Sequence, residues 1–302
     1  MSADHAHASA TRAGTRYKKR LWWVFGLVVV FMVVEIVAGI LTNSLALLSD
    51  AGHMGTDAIG VGMALAAIIA ADRAGQSGQR TYGLYRLEIL AALANAVLLF
   101  AVAGYVLYEA VRRFEEPPEV LSGPMLVVAV LGLVVNVIGW WLLRSGAEES
   151  INVEGAYLEV VADLLGSIGV IVAALIIMFT GWPYADPLFG AAIGLFILPR
   201  AWRLGRNAVR ILVQAAPEGL RLADVRANLM AIDGVTDVHD LHVWTLTSDM
   251  DVASLHLMTK AETDPQTVLD AAKKVLGEEY GIAHATLQVE PDSHEGCSEL
   301  AW

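Results

Sequence analysis

The sequence has little of two residue classes on which most soluble proteins depend. Only 17% of its 302 residues are charged, and cysteine occurs once, at Cys297. A typical soluble domain is about 25% charged. The low charge argues against both an ordinary soluble enzyme and a disordered chain. The single cysteine excludes an intramolecular disulfide framework and any zinc finger built from clustered cysteines.

Positive charge is also scarce. The chain has 20 Lys and Arg residues against 32 Asp and Glu residues, a net charge of −12. Binding to nucleic acid needs basic patches that contact phosphates, so we expect no nucleic-acid partner. The acidic excess is confined to one end, because residues 1–213 hold 15 basic and 16 acidic residues whereas residues 214–302 hold 5 and 16.

Apolar residues are abundant, at 56% of the chain, with a mean hydropathy of +0.55. They form six long runs, and a helix needs about 20 such residues to cross a bilayer. No small-residue cleavage site follows the first run, which is typical of an uncleaved span. The sequence thus predicts a polar tail at 1–20 and a six-helix transmembrane bundle over 21–210. The runs are Leu21–Leu41, Leu45–Ala71, Leu84–Val111, Met125–Leu143, Tyr157–Phe179 and Leu188–Leu204.

Basic residues set the expected orientation of these spans. Thirteen of the fifteen basic residues in 1–213, including Arg200, fall on the side of the N-terminus, and only Arg112 and Arg113 fall on the other side. Loops rich in Lys and Arg stay in the cytoplasm. We therefore expect both termini to be cytoplasmic.

The residues after Gln214 have the pattern of a small folded domain. Leu222–Ile232 and Pro265–Glu279 have helical spacing, whereas Val235–Leu246, Val252–Met258 and Ala283–Glu290 read as strands. The order over 214–290 is αββαβ, followed by a tail at 291–302. A domain of this size gains stability from dimerising.

Two predicted spans each contain a pair of metal-ligand residues one helical turn apart. His53 and Asp57 lie in the second span, and Glu159 and Asp163 lie in the fifth. Residues four apart share one face of a helix, and ionisable groups in a membrane are functional candidates by default. If the two pairs face each other, they offer one imidazole and three carboxylates, a set of four that suits a tetrahedral divalent cation such as zinc.

Other interpretations of the membrane polar residues stay open. One alternative is that the two pairs in the second and fifth spans are polar pairs with only a structural role. Another is that Asp50 and Glu159 lie at the membrane surface. We interpret Glu35, Asn95 and Asn136 as interhelical hydrogen-bonding residues. Asp186, next to Pro187, is explained as the cap of the last span. The polar residues of the spans that lie outside the predicted set of four ligands are thus Glu35, Asp50, Asn95, Asn136 and Asp186.

Four motifs resemble the cation diffusion facilitator family. They are residues 44–57 (SLALLSDAGHMGTD), 81–90 (TYGLYRLEIL), 155–158 (GAYL) and 238–244 (VHDLHVW). The similarity covers about 21–290 and is greatest to bacterial zinc, cadmium and cobalt exporters. It implies a homodimeric antiporter in the bacterial inner membrane that exports a divalent cation in exchange for protons, with no permanent cofactor.

The resemblance also implies two sets of metal ligands. The transport site consists of His53, Asp57, the residue at 159 and Asp163. The cytoplasmic domain is metallochaperone-like, and its His239, His256 and His284 match positions that bind regulatory metal, with zinc as the first expectation.

The chain departs from the zinc-type pattern at Glu159, where that pattern has histidine. With three ionised carboxylates the quartet carries −3, so a bound dication leaves −1. More oxygen ligands favour harder cations, so we expect selectivity to broaden or shift toward manganese, iron or cobalt, with zinc as the first expectation and cadmium as a further candidate. The loop from Arg144 to Asn152 also lacks the histidines that relatives often carry, which argues against a metal buffer there.

Two other functions remain as alternatives. An intramembrane metallohydrolase would use Glu159 as general base, but it would need an open metal position and a substrate cleft. A metal sensor without transport would not need two polar pairs within the bilayer. The tails hold further metal-ligand residues, which we interpret as disordered: His5, His7, His294, Glu295 and Cys297.

Overall fold

A computed structural model of the chain describes residues 3–74, 82–145, 151–248 and 250–293. Within these ranges the chain forms eight helices and three strands. They divide into two compact units, Met1–Gly62 with Ala94–Arg203 and Met63–Leu93 with Leu204–Trp302. The elements are α1 Ala3–Thr42, α2 Leu45–Ala74, α3 Arg86–Glu115, α4 Ser122–Leu143, α5 Ile151–Thr180, α6 Ala185–Leu212, α7 Leu222–Met230, β1 Val235–Thr247, β2 Met250–Thr259, α8 Pro265–Tyr280 and β3 His284–Pro291.

Five helices of the described chain are long and apolar enough to cross a membrane. They carry large exposed apolar side chains, such as Phe179 at 81% and Phe196 at 63% exposure. Exposed apolar surface on this scale marks contact with lipid or protein. The second predicted span, α2, is not among the five, and several of its residues from 61 onward lie outside those whose side chains the structure describes. The five are Trp22–Thr42, Arg86–Glu115, Ser122–Leu143, Tyr157–Thr180 and Ala185–Leu212.

Helix α2 packs closely against its neighbours in the first unit because glycines lie at the contacts between the helices. A Cβ atom at Gly60 would lie 2.5 Å from the Asn95 Nδ2 atom on α3, and one at Gly166 on α5 would lie 2.3 Å from the Asp50 Oδ1 atom. Neither contact leaves room for a side chain. These glycines therefore bring the polar groups of α2 close to α3 and α5.

Asp186 caps α2 and not α6, the helix that its position in the sequence predicts. It lies in the first turn of α6, but its carboxylate accepts hydrogen bonds from the backbone amides of Leu45 and Ala46, at 2.6 and 3.1 Å, and from the hydroxyl of Ser44 at 2.6 Å. It therefore caps the N-terminus of α2. The prediction that Asp186 caps α6 was wrong, because the sequence around this residue does not reveal which helix from elsewhere in the chain begins beside it.

Arg113 completes this capping cluster. Its guanidinium lies 3.4 Å from Asp186 and 3.0 Å from Glu109, and it also donates to the carbonyl of Asn43. Asn43 follows the end of α1 with a φ of 55°, a left-handed conformation that asparagine tolerates. The cluster thus fixes the ends of α1, α2 and α6 against α3.

In the second unit, α7, β1, β2, α8 and β3 follow one another along the chain. The sheet order is β1-β2-β3, with β1 and β2 antiparallel and β2 and β3 parallel. Alternate residues of β2, including Leu255 and Leu257, enter a core that also contains Val225 of α7 and Leu276 of α8. The ladder between β1 and β2 shifts between His239 and His242, where Asp240 has a φ of 48°.

Candidate metal sites

The structure brings three of the four predicted transport-site residues together. One ligand atom from each of His53, Asp57 and Glu159 lies within 4.8 Å of the others. The His53 Nε2 atom is 3.8 Å from the Asp57 Oδ2 atom, and His53 is 5% exposed. Helix α2 positions the first two residues one turn apart, and α5 supplies the third. An imidazole and two carboxylates within this radius form a set that can bind a divalent cation.

Asp163, the fourth predicted ligand, lies one turn beyond Glu159 on α5. It is 5% exposed, and its Oδ1 atom has no hydrogen-bond partner among the described residues. It lies within range of electrostatic interaction with Asp57 and Glu159. A buried carboxylate oxygen without a donor is costly, and a bound cation removes that cost.

Arg200 of α6 also belongs to this cluster, although the sequence pattern predicts it only as one of the basic residues on the cytoplasmic side. Its two terminal nitrogens both contact the carboxylate of Glu159, one on each oxygen. They also lie 3.3 Å from the two carboxylate oxygens of Asp57. Pro199 precedes it inside the helix and removes one backbone hydrogen bond there. No sequence spacing links residue 200 with residues 57 and 159, so only the packing of α6 reveals the contact.

Asp50 lies inside the first unit, next to a second acidic residue. It is 1% exposed and lies within electrostatic range of Glu35, which is also 1% exposed. The Asp50 Oδ2 and Glu35 Oε2 atoms have no partner among the described residues. Glu35 of α1 and Asp50 of α2 thus form a buried acidic pair between the two helices. Asn136 bridges α4 and α5 similarly, since its Nδ2 atom donates to the Ser167 hydroxyl at 3.2 Å.

The second unit contains a second cluster of metal-ligand residues. One ligand atom from each of His239, His256 and Glu290 lies within 4.8 Å of the others. The two histidines are directly opposite each other in the β1–β2 ladder, with ring centroids 5.1 Å apart. The His256 Nδ1 atom is 3.2 Å from the Glu290 carboxylate. The His239 Nε2 atom is buried and has no hydrogen-bond partner in the described chain. Two imidazoles and a carboxylate are a donor set that fits zinc.

The third predicted cytoplasmic ligand, His284, lies at the other end of β3. His284 pairs with Val252, whereas His256 pairs with Gln288, four residues further along β3. At about 3.3 Å per residue this offset is roughly 13 Å. Within one chain, Glu290 therefore takes the place beside the two histidines. Acidic residues are common in this domain, so the sequence offered no reason to select Glu290.

Several residues considered above lie outside the described residues. They are the tail residues His294, Glu295 and Cys297, most of the loop between Arg144 and Asn152, and the side chains of His5 and His7.

Apolar membrane-length helices around a cluster of cation ligands define a membrane protein that handles metal ions. The family comparisons agree with this class. Residues 21–213 match the cation efflux transmembrane domain, and residues 217–292 match the cytoplasmic domain of cation efflux proteins. The chain therefore belongs to the cation efflux family, also called the cation diffusion facilitators.

Curated relatives cover nearly the whole chain. It is 44% identical over 291 residues to the metal cation efflux system protein CzcD of Cupriavidus metallidurans, covering 96% of this chain and 90% of the relative. It is 40% identical over 308 residues to the zinc transporter ZitB of Escherichia coli, covering 99% and 98%. It is 37% identical over 285 residues to the cadmium, cobalt and zinc/H(+)-K(+) antiporter of Bacillus subtilis, covering 92% and 90%.

One solved structure is similar to the C-terminal part. It is the metal-bound C-terminal domain of the CzcD transporter from Cuprividus metallidurans and is 35% identical, covering 24% of this chain and 99% of that chain with a TM-score of 0.23. The relatives are named as transporters rather than enzymes. The protein is thus a membrane transporter that exports divalent metal cations.

Proposed function

We propose that this chain is a proton-coupled antiporter that exports zinc and similar divalent cations from the cytoplasm. The observation that carries the proposal is the cluster of His53, Asp57 and Glu159 on facing positions of α2 and α5. With Asp163 one turn away, it supplies the four ligands of a tetrahedral site. The names of two relatives support zinc, and one of them also includes cadmium, cobalt and H(+).

The proposed architecture has six spans, counting α2. Its 30 residues extend for about 45 Å, longer than the roughly 30 Å of the hydrocarbon core. The proposed divisions are a tail at 1–20, a transport domain at 21–210, an αββαβ metallochaperone-like domain at 214–290 and a tail at 291–302. The basic residues favour cytoplasmic termini in a bacterial inner membrane. The match to a cytoplasmic domain of the family supports a homodimer.

In the proposed cycle, a cation from the cytoplasm enters the quartet while it is open to the inside, and the bundle then reorients to face outward. Protons from outside compete with the cation for His53 and the carboxylates, since these groups bind either a metal ion or a proton. The driving force is the proton gradient. Zinc is the first cargo, and the three carboxylates extend the range to cobalt, cadmium, iron or manganese.

We further propose that the cytoplasmic domain binds a regulatory metal ion at His239 and His256. Glu290 completes this set within one chain, and His284 contributes to metal binding in the homodimer. The domain, with 5 basic and 16 acidic residues in 214–302, repels its copy in the dimer. Bound cations lower that repulsion and bring the paired domains together.

Flux measurements in sealed proteoliposomes test the proposed function. Zinc added on the cytoplasmic side should drive proton movement in the opposite direction, and Asp163→Ala should abolish both fluxes while the dimer persists. Zinc flux without proton flux would remove the antiport. Metal binding without any flux would instead favour the sensor or the hydrolase. Cobalt and manganese in the same assay measure how far the cargo range extends.

A further inference from the structure

Arg200 occupies the carboxylates that the proposed cargo needs. Its two terminal nitrogens contact both oxygens of Glu159 and lie 3.3 Å from both oxygens of Asp57. This is a forked arrangement in which one guanidinium holds two carboxylates at once. The two carboxylates belong to different helices, and α6 supplies the cation between them.

A guanidinium and a metal ion compete for the oxygens of Glu159, both of which now accept from Arg200. On Asp57, Oδ2 accepts from Arg200, whereas Oδ1 has no hydrogen-bond partner among the described residues. A dication that coordinates Glu159 therefore displaces the guanidinium, and two cations at that distance repel each other. The Arg200 side chain is 40% exposed, which leaves it room to move away from the cluster. The cluster therefore holds either the guanidinium of Arg200, which is attached to α6, or a free divalent cation, but not both.

Arg200 also reduces the negative charge of the empty site. With His53 neutral, the three carboxylates of Asp57, Glu159 and Asp163 carry −3, and Arg200 brings the total to −2. A dication that displaces Arg200 leaves −1, so the exchange reduces the net charge further, which a low-dielectric surrounding favours.

We propose that Arg200 is a built-in competitor of the cargo, which holds Asp57 and Glu159 in the empty site and is displaced when a divalent cation binds. Displacement lowers the affinity for the cation and speeds its release, so Arg200 sets the balance between binding and turnover. The inference rests on the proposed transport site. It assigns Arg200 a role in positioning and competition rather than in coordination.

Zinc transport kinetics in proteoliposomes test this competition. Arg200→Gln removes the competitor, so the KM for zinc should fall at least about tenfold, the scale of a direct ionic coupling. Because the cation then leaves more slowly, kcat should fall as well. A general structural defect would lower kcat without lowering KM. An unchanged or higher KM overturns the proposal.

Two further variants show whether the effect passes through the carboxylates. In a Glu159→Gln background the main partner of Arg200 is absent, so the effect of Arg200→Gln on KM should shrink to about threefold or less. Arg200→Lys supplies a point charge without the fork and should give an intermediate KM. If Arg200→Gln fails to fold, Arg200→Lys decides the question, and a KM equal to that of the wild type contradicts the proposal.

Arg203→Gln is the matched control. It removes the same charge from an exposed position three residues along α6. Its KM should equal that of the wild type, and a fall as large as that of Arg200→Gln would assign the effect to overall charge and overturn the proposal. The proposed function is tested separately: it fails if the wild type transports no zinc, whereas the inference alone fails if the wild type transports zinc and Arg200→Gln leaves KM unchanged.

Discussion

The first unit contains two arginine–carboxylate clusters that differ in their exposure to solvent. In the capping cluster the side chains of Arg113 and Asp186 are 11% and 0% exposed. In the metal-ligand cluster those of Arg200, Asp57 and Glu159 are 40%, 21% and 38% exposed. The same chemistry of a guanidinium between two carboxylates is buried in one place and accessible in the other.

The hydrogen bonds of the two clusters explain this difference. Asp186 accepts from two backbone amides, a hydroxyl and Arg113, so both of its oxygens are occupied by groups that cannot leave. Next to Arg200, by contrast, the His53 Nδ1 atom and the Asp163 Oδ1 atom have no partner among the described residues. A satisfied buried cluster fixes helix ends, whereas an accessible cluster with unused ligand atoms can exchange one cation for another.

The largest effect is expected at the closed cluster. Asp186→Ala removes a buried acceptor of four hydrogen bonds, one of them from Arg113, and leaves Arg113 with Glu109 as its remaining acidic partner. Loss of one partner of a buried ion pair costs about 3–5 kcal/mol. We expect a large fall in the thermal unfolding temperature of the detergent-solubilised protein. Asp186→Asn keeps one acceptor oxygen, so its unfolding temperature should lie between those of the wild type and Asp186→Ala. A wild-type unfolding temperature for Asp186→Ala would show that the cap is dispensable.

At the accessible cluster the expected loss is one of function. Asp57→Ala removes a proposed ligand and should abolish zinc export. Arg200 keeps both contacts with Glu159, so the unfolding temperature should stay close to that of the wild type. Removal of a functional group that is not optimised for stability is often neutral. Export by Asp57→Ala at the wild-type rate would refute the site, and unfolding like that of Asp186→Ala would remove the contrast between the two clusters.

The sequence identified the apolar helices and the ligands that share a helix, but not the partners that come from elsewhere in the chain. Hydropathy located α1, α3, α4, α5 and α6, because a span must be apolar along about 20 residues. His53 and Asp57 were found because four residues make one turn. Arg200, Glu290 and the true partner of Asp186 were missed, because packing between distant elements leaves no periodic signal in the sequence.

A smaller effect is expected on cation selectivity. Glu159→His replaces an oxygen ligand by nitrogen and removes the carboxylate that Arg200 holds most closely. Nitrogen ligands favour zinc over manganese, so the ratio of zinc to manganese export should rise several-fold. Export rates for zinc, cobalt and manganese, measured side by side in vesicles, give this ratio. An unchanged metal profile would mean that residue 159 does not set selectivity.

The smallest effect is expected at an exposed carboxylate that, like Asp186, accepts from two backbone amides at the start of a helix. Asp264 caps α8 by accepting from the backbone amides of Gln266 and Thr267, at 3.4 and 3.1 Å. Hydrogen bonds from the side chain and amide of Thr267 lower the pKa of Asp264, which lies at the surface. Asp264→Ala should therefore lower the unfolding temperature by only about a few degrees.

The pH dependence of this small effect separates a charged cap from simple packing. Because the folded state lowers the pKa of Asp264, its stabilisation is complete above the ordinary aspartate pKa of about 3.9 and is lost as the pH falls through the lowered folded value. The difference in unfolding temperature between wild type and Asp264→Ala should hence be constant near neutral pH and shrink below about pH 4. If the difference in unfolding temperature persists below about pH 4, the stabilisation comes from contacts of the Asp264 side chain that do not depend on its charge. The contrast between an exposed and a buried charged cap would then not hold.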